Sequence, residues 1–329
     1  MDRRTAGAVI CLSLASPGAA LAQVAARRPR IGFLAEPAFD AAMQRSIVEP
    51  FRLGLRELGY VEDQNIAIDF RSAEGKLERL TSLARELVQL KVDVLVTAFP
   101  AAALAAQAAT QEIPIVATSV DNPVEMGLAA TMARPGGHIT GISGWAGELV
   151  EKRLQLLRDL APTVRRIGIL FNPDAGVKRA SLEVGIARWE RTLGIPIRGY
   201  EARVPGDFEG VFAALGRDGV GGLLVLADGN TYSHRKALND LCLQRRMPSV
   251  WGGRDFLTGG GLASYQSDFP ALFRRAATLV DYILKGQKPG DIPFEQANKL
   301  ELIVDKRAAR ALGITVPRTV LIAADEVFE

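Results

Sequence analysis

Two aspartates directly follow short apolar runs and are the clearest candidates for binding a charged ligand. Asp121 stands in the run SVDN, and Asp228 in the run ADGN. A carboxylate in such a turn can pair with a ligand ammonium through a charge-assisted hydrogen bond. Aspartate is also common in turns because its side chain bonds the nearby backbone, so a purely structural role is equally consistent with both positions.

A second pattern offers a place for the opposite ligand charge. Thr97 and Phe99 precede Pro100, and proline is favoured in the first turn of a helix, where backbone amides lack partners. The amides of Ala101 and Ala102 would then face a ligand carboxylate, and Thr97 would add a hydroxyl. The same residues can simply start a helix, and the sequence does not decide between these interpretations.

Other polar and aromatic residues near the ends of apolar runs complete the predicted ligand site. Only 6% of the residues are aromatic, so several of them near such ends favour a ligand with a flat or apolar part. Some aromatic side chains at these places belong to the core instead. The predicted ligand-binding residues are Phe39, Thr97, Phe99, Ala101, Ser119, Asp121, Asn172, Asp228, Trp251 and Tyr265, with Trp145 and Tyr232 as further aromatic candidates.

Patterns for catalysis or metal binding are missing from the sequence. His138 and His234 are the only histidines, and neither has a cysteine, histidine or glutamate at metal-ligand spacing. No Gly-x-Ser-x-Gly elbow follows a predicted strand, and residues 259–261 lack the lysine of a phosphate-binding loop. Residues 35–37, Ala-Glu-Pro, stand where a dinucleotide fingerprint needs glycines. We therefore expect no catalytic residue, no metal and no cofactor, and a binding protein rather than an enzyme.

The candidate residues require a scaffold of alternating strands and helices. The run 92–97 is apolar on both faces apart from Asp93, which is typical of a parallel sheet covered on both sides. The predicted strands are 30–34, 66–70, 92–97, 113–118, 167–171, 195–200, 222–226, 248–251 and 260–265. The predicted helices are 47–58, 77–88, 148–160, 178–192, 207–216, 233–245, one starting at Ser267 or Asp268, and 306–312.

A glycine-rich stretch at 134–147 separates two series of this alternation. The pattern predicts an α/β protein with two Rossmann-like lobes, each built on a parallel sheet, with a crevice beyond the carboxyl ends of the strands. We expect lobe I to comprise 23–143 and 267–290, and lobe II 144–266 and 291–329. The expected hinge segments are 141–144 and 264–267, with a third crossing between 289 and 300.

The N-terminus has the pattern of an export signal. Residues 1–4 are short and basic, residues 6–15 are apolar, and Ala20-Leu21-Ala22 has the small residues that signal peptidase reads. We expect residues 1–22 to be a signal peptide and the mature protein to be periplasmic. Since Cys11 would leave with the signal, Cys242 would be the single cysteine of the mature chain, which excludes an internal disulfide.

Charge and hydropathy exclude several other classes of function. The formal net charge is +3 over 329 residues, and removing Asp2, Arg3 and Arg4 leaves about +2 without a basic block. Neither nucleic acid nor a membrane surface is therefore an expected partner. No second apolar run reaches the roughly 18 residues of a membrane span. With 48% hydrophobic residues, the chain is long enough to bury the cores of two domains.

Four segments carry a resemblance to a known family over almost the whole mature chain. They are RPGGHITG at 134–141, FRRAA at 273–277, ILKGQKP at 283–289 and ADEV at 324–327. In this order they resemble the bacterial ABC-transporter substrate-binding family that includes tryptophan- and tyrosine-type uptake components. The resemblance implies a type I periplasmic-binding-protein fold, with three crossover strands and a ligand closed between the lobes.

The predicted function is capture of a small molecule by hinge closure, for delivery to an ABC permease in the inner membrane. An amino acid-like ligand, with an aromatic side chain as one option, fits the mixture of candidate residues for carboxylate and ammonium. We expect the protein to act as a monomer. A periplasmic sensor that presents its closed form to a signalling receptor is an alternative that the sequence does not separate from transport.

Overall fold

The computed structural model describes residues 28–144, 146–175 and 179–329. The predicted signal peptide at 1–22 and the candidate Trp145 lie outside the described residues. Within the described ranges, no helix is both long and apolar enough to cross a membrane.

The first lobe is built on a six-stranded sheet in which every pair of neighbouring strands is parallel. Its strands are β1 (Arg30–Ala35), β2 (Ala67–Ser72), β3 (Val94–Ala98), β4 (Ile115–Val120), β5 (Ile139–Ser143) and β11 (Glu295–Gln296), in the order β11-β5-β4-β3-β1-β2. Its helices are α1 (Ala41–Met43), which continues through a π-helical turn (Gln44–Val48) into α2 (Glu49–Glu57), then α3 (Leu80–Gln89), α4 (Pro100–Ala109) and α11 (Phe269–Leu284).

The second lobe is built on a seven-stranded sheet. The last two strands of the chain lie at one edge of this sheet. Its strands are β6 (Ile167–Phe171), β7 (Ile197–Glu201), β8 (Gly222–Val225), β9 (Ser249–Trp251), β10 (Ala263–Ser267), β12 (Leu300–Asp305) and β13 (Glu326–Phe328), in the order β13-β12-β10-β9-β8-β6-β7. Only the pair β10 and β12 is antiparallel. Its helices are α5 (Ala146–Leu160), α6 (Arg179–Leu193), α7 (Phe208–Arg217), α8 (Gly229–Ser233), α9 (Arg235–Gln244), α10 (Arg254–Leu257), α12 (Lys306–Leu312) and α13 (Arg318–Ala323).

Helices cover both faces of each sheet, as the doubly apolar strands predict. In β1, Ile31 and Phe33 pack into the core formed with α2 and α11, whereas Leu34 packs into the core formed with α3 and α4. Successive side chains of a strand point to opposite faces, so a strand buried on both sides needs apolar residues throughout. The expected fold class of two α/β lobes with predominantly parallel sheets is confirmed.

A buried strand of the first sheet was absent from the sequence prediction. Residues 139–143 form β5, which is buried and pairs with β4, although the glycine-rich sequence around them indicates a linker. Gly141 explains the difference, because a Cβ there would lie 1.8 Å from the backbone oxygen of Ala117. Glycine is thus required for this close strand approach rather than for flexibility.

The chain crosses between the lobes after β5, after β10 and between β11 and β12. The Ser267 hydroxyl donates to the Gly144 carbonyl at 3.1 Å and ties the first two crossings together. The third crossing comes later than the expected boundary at residue 291. Since β11 pairs with β5, residues up to Gln296 belong with the sheet of lobe I, and the assignment of 291–296 to lobe II was wrong.

Candidate functional site

The two lobes meet at the carboxyl ends of their parallel strands, and the cleft has two unlike sides. On the contact side, defined by Glu36, Asp40 and Ser46 of lobe I against residues 228–235 and Asp255 of lobe II, the lobes touch directly. On the cavity side they enclose a cavity of about 1150 Å³. In open α/β sheets this edge is where ligands bind, so both sides are candidates.

An ion pair and a hydrogen bond between side chains join the lobes on the contact side. Arg235 lies 2.7 Å from Asp40, and the Ser46 hydroxyl donates to the Asp255 carboxylate at 2.9 Å. Asp255 also accepts a hydrogen bond from the buried Tyr232 hydroxyl. Each of these charged groups has a partner within the protein, although the buried Asn230 Oδ1 and Ser233 hydroxyl nearby have none among the described residues.

Glu36 lies at the centre of the contact side and is fully buried. Its Oε1 accepts hydrogen bonds from the amides of Ala101 (2.5 Å) and Ala102 (3.2 Å) at the start of α4. Its Oε2 accepts from the amide of Gly229 in the other lobe at 3.0 Å. Burial and the nearby charge of Asp228 raise the pKa of Glu36 to about 8, although the three amides oppose the shift.

The cavity side is lined by loops of lobe I and by helices and strand ends of lobe II. Phe99 and Ser119, which follow β3 and end β4, both line it and both have positive φ angles, 78° and 56°. Left-handed backbone is costly for residues other than glycine and tends to occur at functional sites. At Ser119 the register of β4 against β5 also shifts, which turns this residue out of the regular pleat.

Arg153 of α5 brings a buried positive charge to the cavity. The residue is 7% exposed, and its Nε donates to the Tyr265 carbonyl at 2.6 Å. Within the described residues its two terminal nitrogens donate no hydrogen bond, and Arg153 lines the cavity. Gly252 makes room for these terminal nitrogens, because a Cβ on Gly252 would lie 3.3 Å from Arg153 Nη2. Burial lowers the pKa of Arg153 to about 10, so it remains charged at neutral pH.

Asp121 brings a negative charge to the same cavity from lobe I. It is partly accessible because it faces the cavity, while protein surrounds it on its other sides. Burial raises the pKa of Asp121 to about 6, the charge of Arg153 limits the rise, and the charge of Glu125 adds to it. In the described part of the chain its carboxylate neither accepts a hydrogen bond nor forms an ion pair, and its backbone carbonyl accepts the Ser143 hydroxyl.

Neutral residues complete the cavity. The Gln266 side chain is 3% exposed, and its Oε1 has no hydrogen-bond partner among the described residues, which leaves an acceptor for a ligand donor. Aromatic side chains from both lobes give the walls apolar surface, namely Phe99, Phe269 and Phe294 of lobe I and Trp189 of lobe II. Inside a rim of exposed charged residues, the cavity thus combines the opposite charges of Asp121 and Arg153 with a broad apolar surface.

Three of the ten predicted ligand-binding residues line this cavity: Phe99, Ser119 and Asp121. Five others are next to a lining residue in the sequence, since Ala101 follows Pro100, Asp228 follows Ala227, and Asn172, Trp251 and Tyr265 precede Pro173, Gly252 and Gln266. Thr97 is buried two positions before Phe99. Tyr265 contributes its carbonyl to Arg153. Trp251 instead stacks on Phe256, with ring centroids 5.0 Å apart, in the core of lobe II.

The predicted residues Phe39, Ala101 and Asp228 have other partners. Phe39 packs against Phe33 and Phe70 at the core of lobe I. The amide of Ala101, which was predicted to bind a ligand carboxylate, instead donates to the carboxyl group of Glu36. Asp228 caps α8, because its Oδ1 accepts from the amides of Asn230 at 2.7 Å and Thr231 at 2.9 Å. Asp228 thus has the turn-forming role that was the alternative to ligand binding.

Arg153, Gln266 and Glu36 were missed by the sequence prediction. Arg153 had a readable signal, because it lies four residues after Leu149 and four before Leu157 on the apolar face of α5. A charge on such a face needs a buried partner or a ligand. Glu36 had no comparable signal, since one of its partners is 193 residues away in the sequence.

No metal site emerges from the geometry of the described residues. Across residues 28–144, 146–175 and 179–329, no three His, Cys, Asp or Glu side chains are grouped so that they could hold a metal ion. Cys242, the free cysteine of the described chain, is buried, and burial raises the pKa of its thiol to about 12.

Two α/β lobes that enclose a cavity with charged and apolar walls define a two-lobed ligand-binding protein. Residues 33–328 match the family described as ABC transporter substrate binding protein, and the chain belongs to this family. The expected type I periplasmic-binding-protein fold is confirmed. Proteins of this family are typically periplasmic or extracellular.

Known relatives cover most of the chain. A tyrosine-binding protein of Clostridioides difficile is 26% identical over 265 residues, which are 80% of this chain and 75% of that protein. A conserved domain protein from Vibrio cholerae has a TM-score of 0.84 at 26% identity, covering 92% of this chain and all of the other. An ABC domain from Streptococcus pneumoniae in complex with L-Trp has a TM-score of 0.83 at 24% identity, with 92% and 100% covered.

Proposed function

We propose that the protein captures an amino acid on the cavity side, with the ligand carboxylate on Arg153 and its ammonium on Asp121. The observation that carries this proposal is that both charges line one cavity and neither has a charged partner within 4 Å among the described residues. Leaving a charge in a partly dehydrated site without a partner is costly. A zwitterion satisfies both charges at once and draws its two contacts from different lobes.

The apolar walls support an amino acid with a large apolar or aromatic side chain. Phe99, Phe269 and Trp189 offer ring faces and edges, which pack well on a flat group. The tyrosine-binding relative and the structure solved with L-Trp agree with this ligand class. A volume of about 1150 Å³ is at the upper end for small-molecule pockets, so ordered water would accompany a single amino acid.

The three crossings between the lobes would serve as the hinge in this function. A ligand that contacts Asp121 in one lobe and Arg153 in the other stabilises the closed arrangement over the open one. We propose that the closed form then docks on an ABC permease in the inner membrane. We also propose that the protein is a monomer in the periplasm and that residues 1–22 are removed on export.

The test is isothermal titration calorimetry of purified protein with a panel of amino acids. For each that binds, two analogues follow, one without the carboxylate and one without the amino group, such as tyramine and 3-(4-hydroxyphenyl)propanoate for tyrosine. We expect each deletion to weaken binding at least about tenfold, as for a charge-assisted contact. Analogues that bind as tightly as the parent amino acid, or an absence of binding across the panel, would contradict the proposal.

A further inference from the structure

The contact side of the cleft is closed by a side chain of the protein itself. Both carboxylate oxygens of Glu36 accept backbone amides, Oε1 from α4 of lobe I and Oε2 from Gly229 of lobe II. The amides at the start of α4 are where a ligand carboxylate was expected. Glu36 therefore occupies a bridging position of the kind that a ligand carboxylate would take between two lobes.

The backbone around Glu36 is shaped for this close approach. A Cβ on Gly229 would lie 2.4 Å from the Glu36 Cβ, so any larger residue would hold the lobes apart. The Glu36 carbonyl accepts the Gly75 amide at 2.8 Å, and a Cβ on Gly75 would lie 3.0 Å from the Ser233 hydroxyl of the other lobe. Two glycines on opposite lobes thus allow the two backbones to pack at this point.

We propose that Glu36 is an inter-lobe clasp, a built-in carboxyl group that bridges the lobes on the contact side and shifts the equilibrium between the open and closed forms towards the closed form. In the closed form the clasp confines exogenous ligand to the cavity side. The inference rests on the hinge movement of the proposed function. It adds that contacts within the protein, and not the ligand alone, stabilise the closed form.

The substitution Glu36→Gln tests the clasp with little change in volume. Its amide oxygen can replace Oε1 and accept from Ala101 and Ala102, but its amide nitrogen has no lone pair to accept the Gly229 amide. The inter-lobe bond is lost whether Glu36 is ionised or protonated in the native protein. The bonds within lobe I remain, so the variant is expected to fold.

The readout is the distance across the mouth of the cavity in ligand-free protein, measured by double electron–electron resonance. Nitroxide labels at Val124→Cys and Val184→Cys report it, because these exposed residues (41% and 74%) lie on opposite lobes beside the mouth. Cys242 is buried and does not interfere. We expect a resolved short-distance population in the protein that keeps both Glu36 and Gly229. With Glu36→Gln, the ratio of open to closed protein should rise at least about tenfold.

A second variant keeps Glu36 and blocks the approach of the lobes. Gly229→Ala should open the cleft to a similar degree, whereas Gly210→Ala in α7, where a Cβ would meet nothing within 4 Å, is the matched control. An unsubstituted protein without a short-distance population, or the same ratio of open to closed protein in Glu36→Gln, Gly229→Ala, the control and the unsubstituted protein, would overturn the clasp. Calorimetry is read separately, so a clasp without amino-acid binding would refute only the proposed ligand.

Discussion

The contact side and the cavity side of the cleft lie at the same edge of the same two sheets. Their charged groups differ in whether they have partners within the protein. On the contact side, Glu36, Asp40 and Asp255 each have partners within the protein. On the cavity side, the carboxylate of Asp121 and the terminal nitrogens of Arg153 have none among the described residues. Position at the strand ends is thus insufficient to identify a ligand site, and what distinguishes the two sides is whether their charged groups have partners.

The largest expected effect is on the cavity side. Arg153→Ala should weaken binding of the amino-acid ligand by roughly a hundredfold, because truncating one partner of a buried charged contact costs about 2–5 kcal/mol. Calorimetry measures the change, and circular dichroism confirms folding. Arg188→Ala is the control, since the Arg188 side chain is 57% exposed on the cavity rim, and it should change affinity by less than about threefold. Equal effects of the two substitutions would remove Arg153 from the site.

Lowering the pH should weaken ligand binding through Asp121. Its pKa is raised to about 6, and only the ionised carboxylate pairs with an ammonium. Affinity should be full above pH 6 and fall by up to about tenfold per pH unit below it. Asp121→Asn should bind weakly and lose this pH dependence in calorimetric titrations.

The exposed Glu125 provides a control for this pH dependence. Its charge contributes to the raised pKa of Asp121, so Glu125→Gln should keep the pH profile and move its midpoint slightly lower. An unchanged profile in Asp121→Asn would assign the titration to another group.

On the contact side, pH should change the ratio of open to closed protein through Glu36, rather than act on a contact with the ligand. In the closed arrangement the pKa of Glu36 is about 8, raised by burial and by Asp228, whereas exposure to water on opening returns it towards 4.5. The closed form therefore binds a proton more tightly, and its advantage is full below about pH 4.5 and lost as pH rises through 8. Spin-label distances should show several-fold more open protein at pH 9 than at pH 6, and Glu36→Gln should abolish this slope.

The smallest effect is expected at Asp228, which caps a helix instead of facing the cavity. Asp228→Ala should lower the free energy of unfolding by about 1 kcal/mol through loss of the cap, and leave ligand affinity within about threefold. Chemical denaturation and calorimetry measure the two quantities. Asp228→Asn, which can still cap, should retain most of the stability. Tenfold weaker binding at unchanged stability would return Asp228 to the ligand site.

The sequence located the loops of the site better than its residues. Each predicted strand end at 97–101, 119–123, 172–174, 227–230 and 251–253 is found at the cleft. Within several of them the predicted residue is one position from the residue that lines the cavity, as for Trp251 and Gly252. Successive side chains of a strand face opposite ways, so an error of one position exchanges a cavity residue for a core residue.

The sequence alone determined the α/β alternation, the two lobes and the strand ends that form the cleft, because hydrophobic period and turn residues are local properties. The tertiary structure decided which charges have partners. Glu36 meets Gly229 across 193 positions, and Arg153 on the apolar face of α5 reaches a cavity that residues of the other lobe help to form. Such contacts depend on how two separately folded lobes pack together, and no local pattern encodes that packing.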